Sequence, residues 1–433
     1  MRPVRLIIRT YQVGFGDCFL LSFDYGEDGQ RHVLMDFGST SLPKGAPKDR
    51  MLEVARDIAL RTEGKLTAVV ATHRHKDHIS GFATSDGEGS GDIIAGLNPD
   101  LVLQPWTEDP DLEPDAKGAP RDGTGDKGRR VAALASMHEV ARLVLDDIPT
   151  LKEEEAVPKP LRQELEFLGD DNLSNLSAVK NLMTMGSARR YLSADQESGL
   201  EDLLPGVETL VLGPPTIAQS DKVLKQRSRD ENEFWHLRKL AGQGARAEGC
   251  GVRASLFPNR YVLHGKPPFP EDTRWLIYKA KQMRGEQMLG IVRALDKALN
   301  NTSLILLFRI GGRSLLFPGD AQIENWSYAL EQDKYRELLA GVDVYKVGHH
   351  GSLNATPKTL WGLFDKRSPD AKATGRLQSL MSTMPGKHGK AERKTEVPRE
   401  TLVTALQKES NLFSTDRDLT PADLCRDIEI LFD

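Results

Sequence analysis

One stretch, residues 72–78 with the sequence THRHKDH, constrains the fold and the chemistry of this chain more than any other. The apolar residues 66–71 directly before it predict a buried strand, which delivers the stretch to a loop at the strand's C-terminal end. The stretch holds three of the chain's ten histidines and one aspartate. Because imidazole and carboxylate groups are the usual protein ligands of Zn²⁺ and similar divalent ions, we predict a metal site here.

The spacing within this stretch favours two metal ions over one. Alternate residues of an extended segment point the same way, so His73, His75 and Asp77 can converge on one position. His78, which follows Asp77, then faces a second position. The alternative is an exposed loop with chance histidines, and the concentration of imidazoles within six residues argues against it.

Composition narrows the functional classes. The 433 residues carry 58 Lys and Arg against 63 Asp and Glu, so the chain lacks the basic excess of a protein that coats nucleic acid. This composition does not exclude a local basic groove. The three cysteines are far apart and indicate neither a disulfide framework nor a CxxC zinc site. No apolar run approaches the roughly 20 residues of a membrane span. We therefore predict a cytoplasmic protein with no membrane attachment.

The hydrophobic pattern predicts an α/β fold that opens with paired strands. Apart from the strand before the metal stretch, strands are predicted at residues 4–13, 19–23, 31–35, 101–106, 207–212, 304–310, 314–317, 342–347 and 377–383, with a short edge strand at 412–415. Helices are predicted at residues 49–61, 131–148, 173–186, 328–340 and 398–408.

Several motifs together resemble the metallo-β-lactamase superfamily: VGFGD at residues 13–17, MDFGS at 35–39 and the THRHKDH stretch. Within that superfamily the sequence is most similar to the nuclease-like domain of ComEC-type competence proteins, which serve DNA uptake, and to their stand-alone relatives. Two later motifs extend the resemblance, the strand–GG–strand–GD pattern of residues 301–320 and KVGHHGS at 346–352. The resemblance implies an αββα sandwich with a dinuclear metal site between the sheet edges.

The resemblance also assigns roles to individual residues. It implies that Asp320 bridges the two metals with one oxygen toward each. It implies that His350 completes the shell of the second metal while His349 contacts a substrate phosphate, and the reverse assignment of this pair stays open. Asp77 would also orient the nucleophile and accept its proton, and His349 and Ser352 would steady negative charge. The expected metal ligands are His73, His75, Asp77, His78, Asp320 and His350.

The implied cofactors are two divalent ions, Zn²⁺ or Mn²⁺. Many members of the superfamily place one more histidine on the first metal, and no counterpart is obvious in this sequence, which makes Mn²⁺ as plausible as Zn²⁺. Val397 precedes Pro398 where the related proteins usually have a histidine, and whether His388 replaces it stays open. Asp17 either bonds a metal-binding histidine or satisfies the backbone amides of its own turn.

The same resemblance divides the chain into three parts. Residues 1–215 and 299–433 are the two parts of a metallo-β-lactamase domain, and residues 216–298 interrupt it as a helical insertion. The insertion is a cap over the cleft that controls access, a surface for a protein partner, or a purely stabilising decoration.

Three functions compete at this point. The leading hypothesis is a metal-dependent hydrolase, a phosphodiesterase or nuclease that cleaves DNA or RNA with a metal-bridging hydroxide. A second hypothesis keeps the site and changes the substrate to a small phosphoester, a lactone or a thioester, which the negative net charge and the insertion favour. The third is a non-catalytic module that binds a partner through residues 216–298.

Overall fold

The computed structural model describes residues 1–109, 176–216, 218–220, 302–354, 356–389 and 396–432. Within them the chain forms thirteen strands and nine α-helices, so the prediction of an α/β fold is confirmed. The strands are β1 Arg5–Tyr11, β2 Cys18–Asp24, β3 Gln30–Phe37, β4 Ala68–Val70, β5 Leu101–Pro105, β6 Ala188–Leu192, β7 Glu208–Gly213, β8 Ile305–Ile310, β9 Arg313–Phe317, β10 Val344–Lys346, β11 Gln378–Met381, β12 Asn411–Ser414 and β13 Cys425–Leu431. The helices are α1 Arg50–Arg61, α2 Lys76–Ile79, α3 Ser90–Gly96, α4 Leu176–Thr184, α5 Ile323–Leu330, α6 Asp333–Ala340, α7 Lys358–Leu363, α8 Glu400–Glu409 and α9 Thr415–Asp418.

The strands form two mixed sheets. The first has seven strands in the order β13-β1-β2-β3-β4-β5-β6, and the second has six in the order β12-β11-β10-β9-β8-β7. Strands β3 to β6 pair in parallel in the first sheet, as do β9 to β12 in the second. Because parallel neighbours end at the same edge, each sheet gathers the loops that follow these strands along one edge.

The two sheets pack face to face, and helices cover their outer faces. The ring of Phe19 on β2 lies 6.0 Å from that of Phe317 on β9, and Phe23 lies 6.4 Å from Phe308. Alternate strand residues of both sheets build this inner core, as the period of two in a strand requires. Helices α1, α3 and α4 pack on the outside of the first sheet, and α5 to α8 pack on the outside of the second.

Most predicted elements lie within three residues of observed ones, and the exceptions have physical reasons. The single helix predicted at 328–340 is wrong, because the chain leaves the helical conformation at Gln332 (φ −103°, ψ 121°) between α5 and α6. Strands β6 and β13 are not predicted, since exposed polar residues dominate both and hide their periodicity. The helix predicted at 131–148 and almost all of the predicted insertion at 216–298 lie outside the described residues.

None of the helices in the described ranges combines the length and the apolar content that crossing a bilayer requires.

Candidate metal centre

The candidate centre lies where three strands of the two sheets end. The metal stretch follows β4, the segment 318–320 follows β9, and the pair His349–His350 follows β10. All six predicted metal ligands meet there, and each of them is 6% exposed or less. Three segments that are far apart in the sequence therefore bring imidazoles and carboxylates to one buried point.

Four of these side chains form one donor group. The ligand atoms of Asp77, His78, Asp320 and His350 all lie within 4.8 Å of one another. His350 Nε2 is 2.9 Å from Asp77 Oδ2, and His78 Nε2 is 3.2 Å from Asp320 Oδ1. Asp320 directs its second oxygen, Oδ2, toward His350 Nε2 at 3.8 Å. Two imidazoles and two carboxylates suffice for a four-coordinate divalent ion.

A second, smaller donor group lies beside the first. His73, His75 and Asp77 bring one ligand atom each within 4.8 Å of the others, and His73 Nε2 is 3.0 Å from His75 Nδ1. Asp77 belongs to both groups. The two groups are therefore unequal, with four protein donors in one and three in the other. A four-coordinate ion held by the smaller group would have one position left for a ligand from outside the protein.

The metal stretch is extended only as far as His75, because α2 begins at Lys76. Asp77 and His78 lie in a short helical turn and not in the extended segment that the prediction assumed, although Asp77 still converges with His73 and His75 as predicted. Glycine is required opposite this turn, since a Cβ atom on Gly38 would lie 2.5 Å from backbone atoms of Asp77 and His78.

Asp36 holds His78 from the side opposite the centre. Its Oδ2 accepts hydrogen bonds from His78 Nδ1 and Thr72 Oγ1, both at 2.8 Å, and its Oδ1 accepts one from Thr72 N at 2.7 Å. A carboxylate accepts only, so it places the ring proton on Nδ1 and leaves Nε2 of His78 for a cation. Asp36 lies in the MDFGS motif, from which no role for its carboxylate is predicted.

The two adjacent histidines after β10 have different positions. Both lie in the left-handed backbone region, with φ of 43° at His349 and 50° at His350. Only His350 belongs to the four-donor group, and its Nδ1 lies 3.0 Å from the carbonyl oxygen of Ser382. His349 donates its backbone N–H to Asp320 Oδ1 at 2.9 Å, while its side chain is 27% exposed at the rim.

Ser352 donates its hydroxyl hydrogen to Asn354.

Asp17 makes neither of the two contacts that the sequence left open. Its carboxylate is fully buried, and its oxygens lie 3.7 Å from His78 Nδ1 and 3.6 Å from His350 Nδ1, which is too far for hydrogen bonds. No backbone amide of its turn bonds it either. The carboxylate forms an ion pair with Lys346, a residue to which the sequence analysis assigns no role.

The charges of the centre favour a cation. Burial by itself favours the neutral imidazole, but Asp320, Asp36 and Asp77 raise the pKa of His78 well above its ordinary value. Burial and the neighbouring His78 lower the pKa of His73. Burial alone would raise the pKa of Asp77 and Asp320, yet the adjacent imidazoles lower both. The carboxylates are thus in the ionised state in which they bind metals, whereas His78 must release a proton when a cation binds.

Two other side chains, Arg74 and His388, have partners near the centre. Arg74 donates Nε to Glu108 Oε1 at 3.0 Å in a buried ion pair, so its guanidinium is engaged away from the metal ligands. The ring of His388 lies 4.3 Å from Phe15, which in turn lies 4.4 Å from the ring of His350. Burial lowers the pKa of His388 to about 4, so this imidazole is neutral at pH 7.

The donor set fits a pair of divalent cations. Asp77 Oδ1 and His78 Nε2 are buried and have no hydrogen-bond partner among the described residues. Buried polar atoms nearly always have a partner, and a cation between the ligands would supply one to both. Histidine nitrogen with carboxylate oxygen suits Zn²⁺ and Mn²⁺.

No protein-family model matches this chain, and no curated protein matches it significantly.

Proposed function

We propose that this chain is a metal-dependent hydrolase of the metallo-β-lactamase superfamily that cleaves phosphodiesters, with DNA or RNA as its substrate. The observation that carries the proposal is the meeting of a four-donor and a three-donor group at Asp77. The motif resemblance and the helix–sheet–sheet–helix layering support the family. In this proposal residues 1–215 and 299–433 form one interrupted domain.

Two divalent cations, Zn²⁺ or Mn²⁺, would be held by the two donor groups. When bound, such a pair supplies Lewis acidity to a phosphoryl oxygen and lowers the pKa of water. Asp320 would help to hold the ion of the four-donor group, because its oxygens face His78 and His350, and Asp77, which belongs to both groups, is the carboxylate that the two groups share.

The chain's own groups would orient the reactants. Asp77 keeps a buried oxygen, Oδ1, that can accept a hydrogen bond from the attacking water. Because neighbouring imidazoles lower the pKa of Asp77, its carboxylate suits orientation of the water better than storage of its proton. His349 is the one histidine of the pair with an exposed side chain, so its ring can donate to a phosphate oxygen at the rim.

The experiment is cleavage of single- and double-stranded DNA and RNA, and of bis-p-nitrophenyl phosphate, by the full chain with Zn²⁺ or Mn²⁺. Asp77→Asn and Asp320→Asn should each lose metal and at least about 100-fold in activity. Asp343→Asn is the matched control, because Asp343 is a buried aspartate outside the centre that accepts a hydrogen bond from Ser314 N.

Three outcomes would contradict the proposal. Cleavage that survives in both Asp77→Asn and Asp320→Asn refutes the site. Turnover of a lactone or thioester without turnover of any phosphodiester refutes the substrate class. A chain that takes up no metal after reconstitution, and binds a protein partner without turnover, supports the non-catalytic alternative instead.

A further inference from the structure

Lys346 places a charged amine inside the candidate centre. It is the last residue of β10, and its side chain is 3% exposed. Its Nζ forms an ion pair with Asp17 Oδ2, lies 3.6 Å from Asp320 Oδ1 and donates to the carbonyl oxygen of Gly319 at 3.2 Å. An ammonium group has three N–H donors, and here three oxygen atoms surround it.

The three oxygens are a donor set for a hard cation. Two carboxylates and a carbonyl are the ligands that Ca²⁺ and Mn²⁺ prefer. Asp17 also belongs to a third group of possible metal ligands, together with Asp36 and His78, whose ligand atoms lie within 4.8 Å of one another. This third group shares only His78 with the four-donor group, and Lys346 contacts it through Asp17.

Asp17 depends on Lys346 for its charge balance. The carboxylate is fully buried, and apart from the ion pair with Lys346 neither of its oxygens has a hydrogen-bond partner in the described part of the chain. Because an isolated buried carboxylate is strongly unfavourable, the ion pair is what permits it there. The Lys346 amine in turn lies among two carboxylates and a carbonyl oxygen, an environment that suits the charged ammonium.

We propose that the Lys346 ammonium is a resident cation, which occupies the position between Asp17 and Asp320 that a third metal ion would otherwise take. It is also a positioning residue for Asp320. Lys346 Nζ and His349 N both approach Asp320 Oδ1, which leaves Oδ2 directed toward His350. Only this positioning role rests on the proposed function. That the ammonium takes the place of a metal ion beside Asp17 does not require catalysis.

The test is the metal content of Lys346→Ala, measured by equilibrium dialysis against Mn²⁺ with elemental analysis and by the electron paramagnetic resonance of the bound ion. The variant should take up one more equivalent of Mn²⁺ than the wild-type chain. A lysine with a merely structural role would leave the stoichiometry unchanged or lower it when removed.

The matched control is Lys366→Ala. Lys366 Nζ lies 2.6 Å from Asp343 Oδ1 and donates to the carbonyl oxygen of Gly341 at 2.9 Å, so it repeats the pairing outside the centre. Arg313 also pairs with Asp343 at 3.0 Å and remains after the substitution. This control should therefore keep the wild-type metal content.

The double variant Asp17→Asn/Lys346→Ala removes the anion together with its cation. It should return to the wild-type stoichiometry, and it should fold even if Lys346→Ala alone does not, because no unpaired buried charge remains. Wild-type metal content in folded Lys346→Ala overturns the inference, and so does an extra equivalent that persists in the double variant. If the wild-type chain takes up no Mn²⁺ while Lys346→Ala takes up one equivalent, the proposed function fails and the inference holds.

Discussion

Replacing Asp36 by asparagine tests whether this carboxylate sets the protonation of the His78 ring in the candidate metal centre. Asp36 accepts hydrogen bonds from Thr72 N at 2.7 Å and from Thr72 Oγ1 and His78 Nδ1 at 2.8 Å. Asparagine has nearly the same shape and tolerates the left-handed backbone at this position, where φ is 54°. It offers one accepting oxygen and one NH₂ group. Whichever way the amide turns, its NH₂ group faces at least one donor.

The amide should take the orientation that costs less free energy, and this orientation decides the tautomer of His78. The backbone N–H of Thr72 is an obligatory donor, whereas the Thr72 hydroxyl can rotate and the His78 ring can change tautomer. The NH₂ group should therefore face His78, whose Nδ1 must then accept and whose proton must move to Nε2. Nε2 is the atom that lies 3.2 Å from Asp320 Oδ1 in the four-donor group. A protonated Nε2 cannot bind a cation, and we expect metal affinity to fall by about 10–100-fold, or about 1.4–2.7 kcal/mol.

The assay is competition for Zn²⁺ between the protein and a chromophoric chelator, with the ¹⁵N shifts of His78 reporting the tautomer. Asp343→Asn serves again as the control, since it removes a buried carboxylate that accepts from a backbone N–H elsewhere. In the metal-free chain Nε2–H of His78 can donate to Asp320, so Asp36→Asn should lower metal affinity more than it lowers the free energy of unfolding. Wild-type affinity in Asp36→Asn, or an equal loss in the control, would refute the reasoning.

Two further predictions concern stability. Arg74→Ala should lower the free energy of unfolding by about 3–5 kcal/mol, because it leaves Glu108, 3% exposed, buried without its partner. Urea denaturation should show that Arg74→Met/Glu108→Gln recovers most of the loss, and a double variant as unstable as the single one would contradict this. Burial lowers the pKa of His32, which bonds Ser22, to about 4. The folded chain then binds fewer protons than the unfolded one near this pH. The contribution of His32 to the free energy of unfolding is therefore complete above about pH 6.5 and is lost as the pH falls toward 4. Between pH 7 and 4.5 the wild-type chain should lose about 2.5 kcal/mol more stability than His32→Gln, and parallel pH profiles would exclude this role.

The ligand set was accessible from the sequence because each ligand directly follows an apolar strand. Strand hydrophobicity and side-chain chemistry are local properties, and they are sufficient to predict which strand ends carry imidazoles and carboxylates. The missing strand β13 is different. It pairs with β1 along the edge of the first sheet, and Arg9 bonds Asp427 across that pair. Pairing between the two ends of a chain leaves no local pattern.

The same distinction explains which contacts of the centre escaped prediction. Lys346 and Asp36 stand within quoted motifs, yet their roles depend on partners in other segments, Asp17 for the lysine and His78 for the aspartate. A single sequence shows that a charged residue follows a strand, and it does not show which buried charge that residue will meet. The meeting of the candidate ligands could therefore be predicted, but the groups that orient and balance them could not.

The change from extended to helical backbone within the metal stretch explains why its second half has no spacer residue. In an extended segment, Asp77 and His78 would point to opposite faces, and only one of them could reach the centre. Consecutive residues of a helical turn are separated by about 100°, so both can face it from adjacent directions. Asp77 thereby contacts His350 at 2.9 Å while His78 reaches Asp320 on one side and Asp36 on the other. The extended segment after β4 supplies the alternate histidines of the three-donor group, and the helical turn supplies the adjacent pair of the four-donor group. A single secondary structure would not supply both.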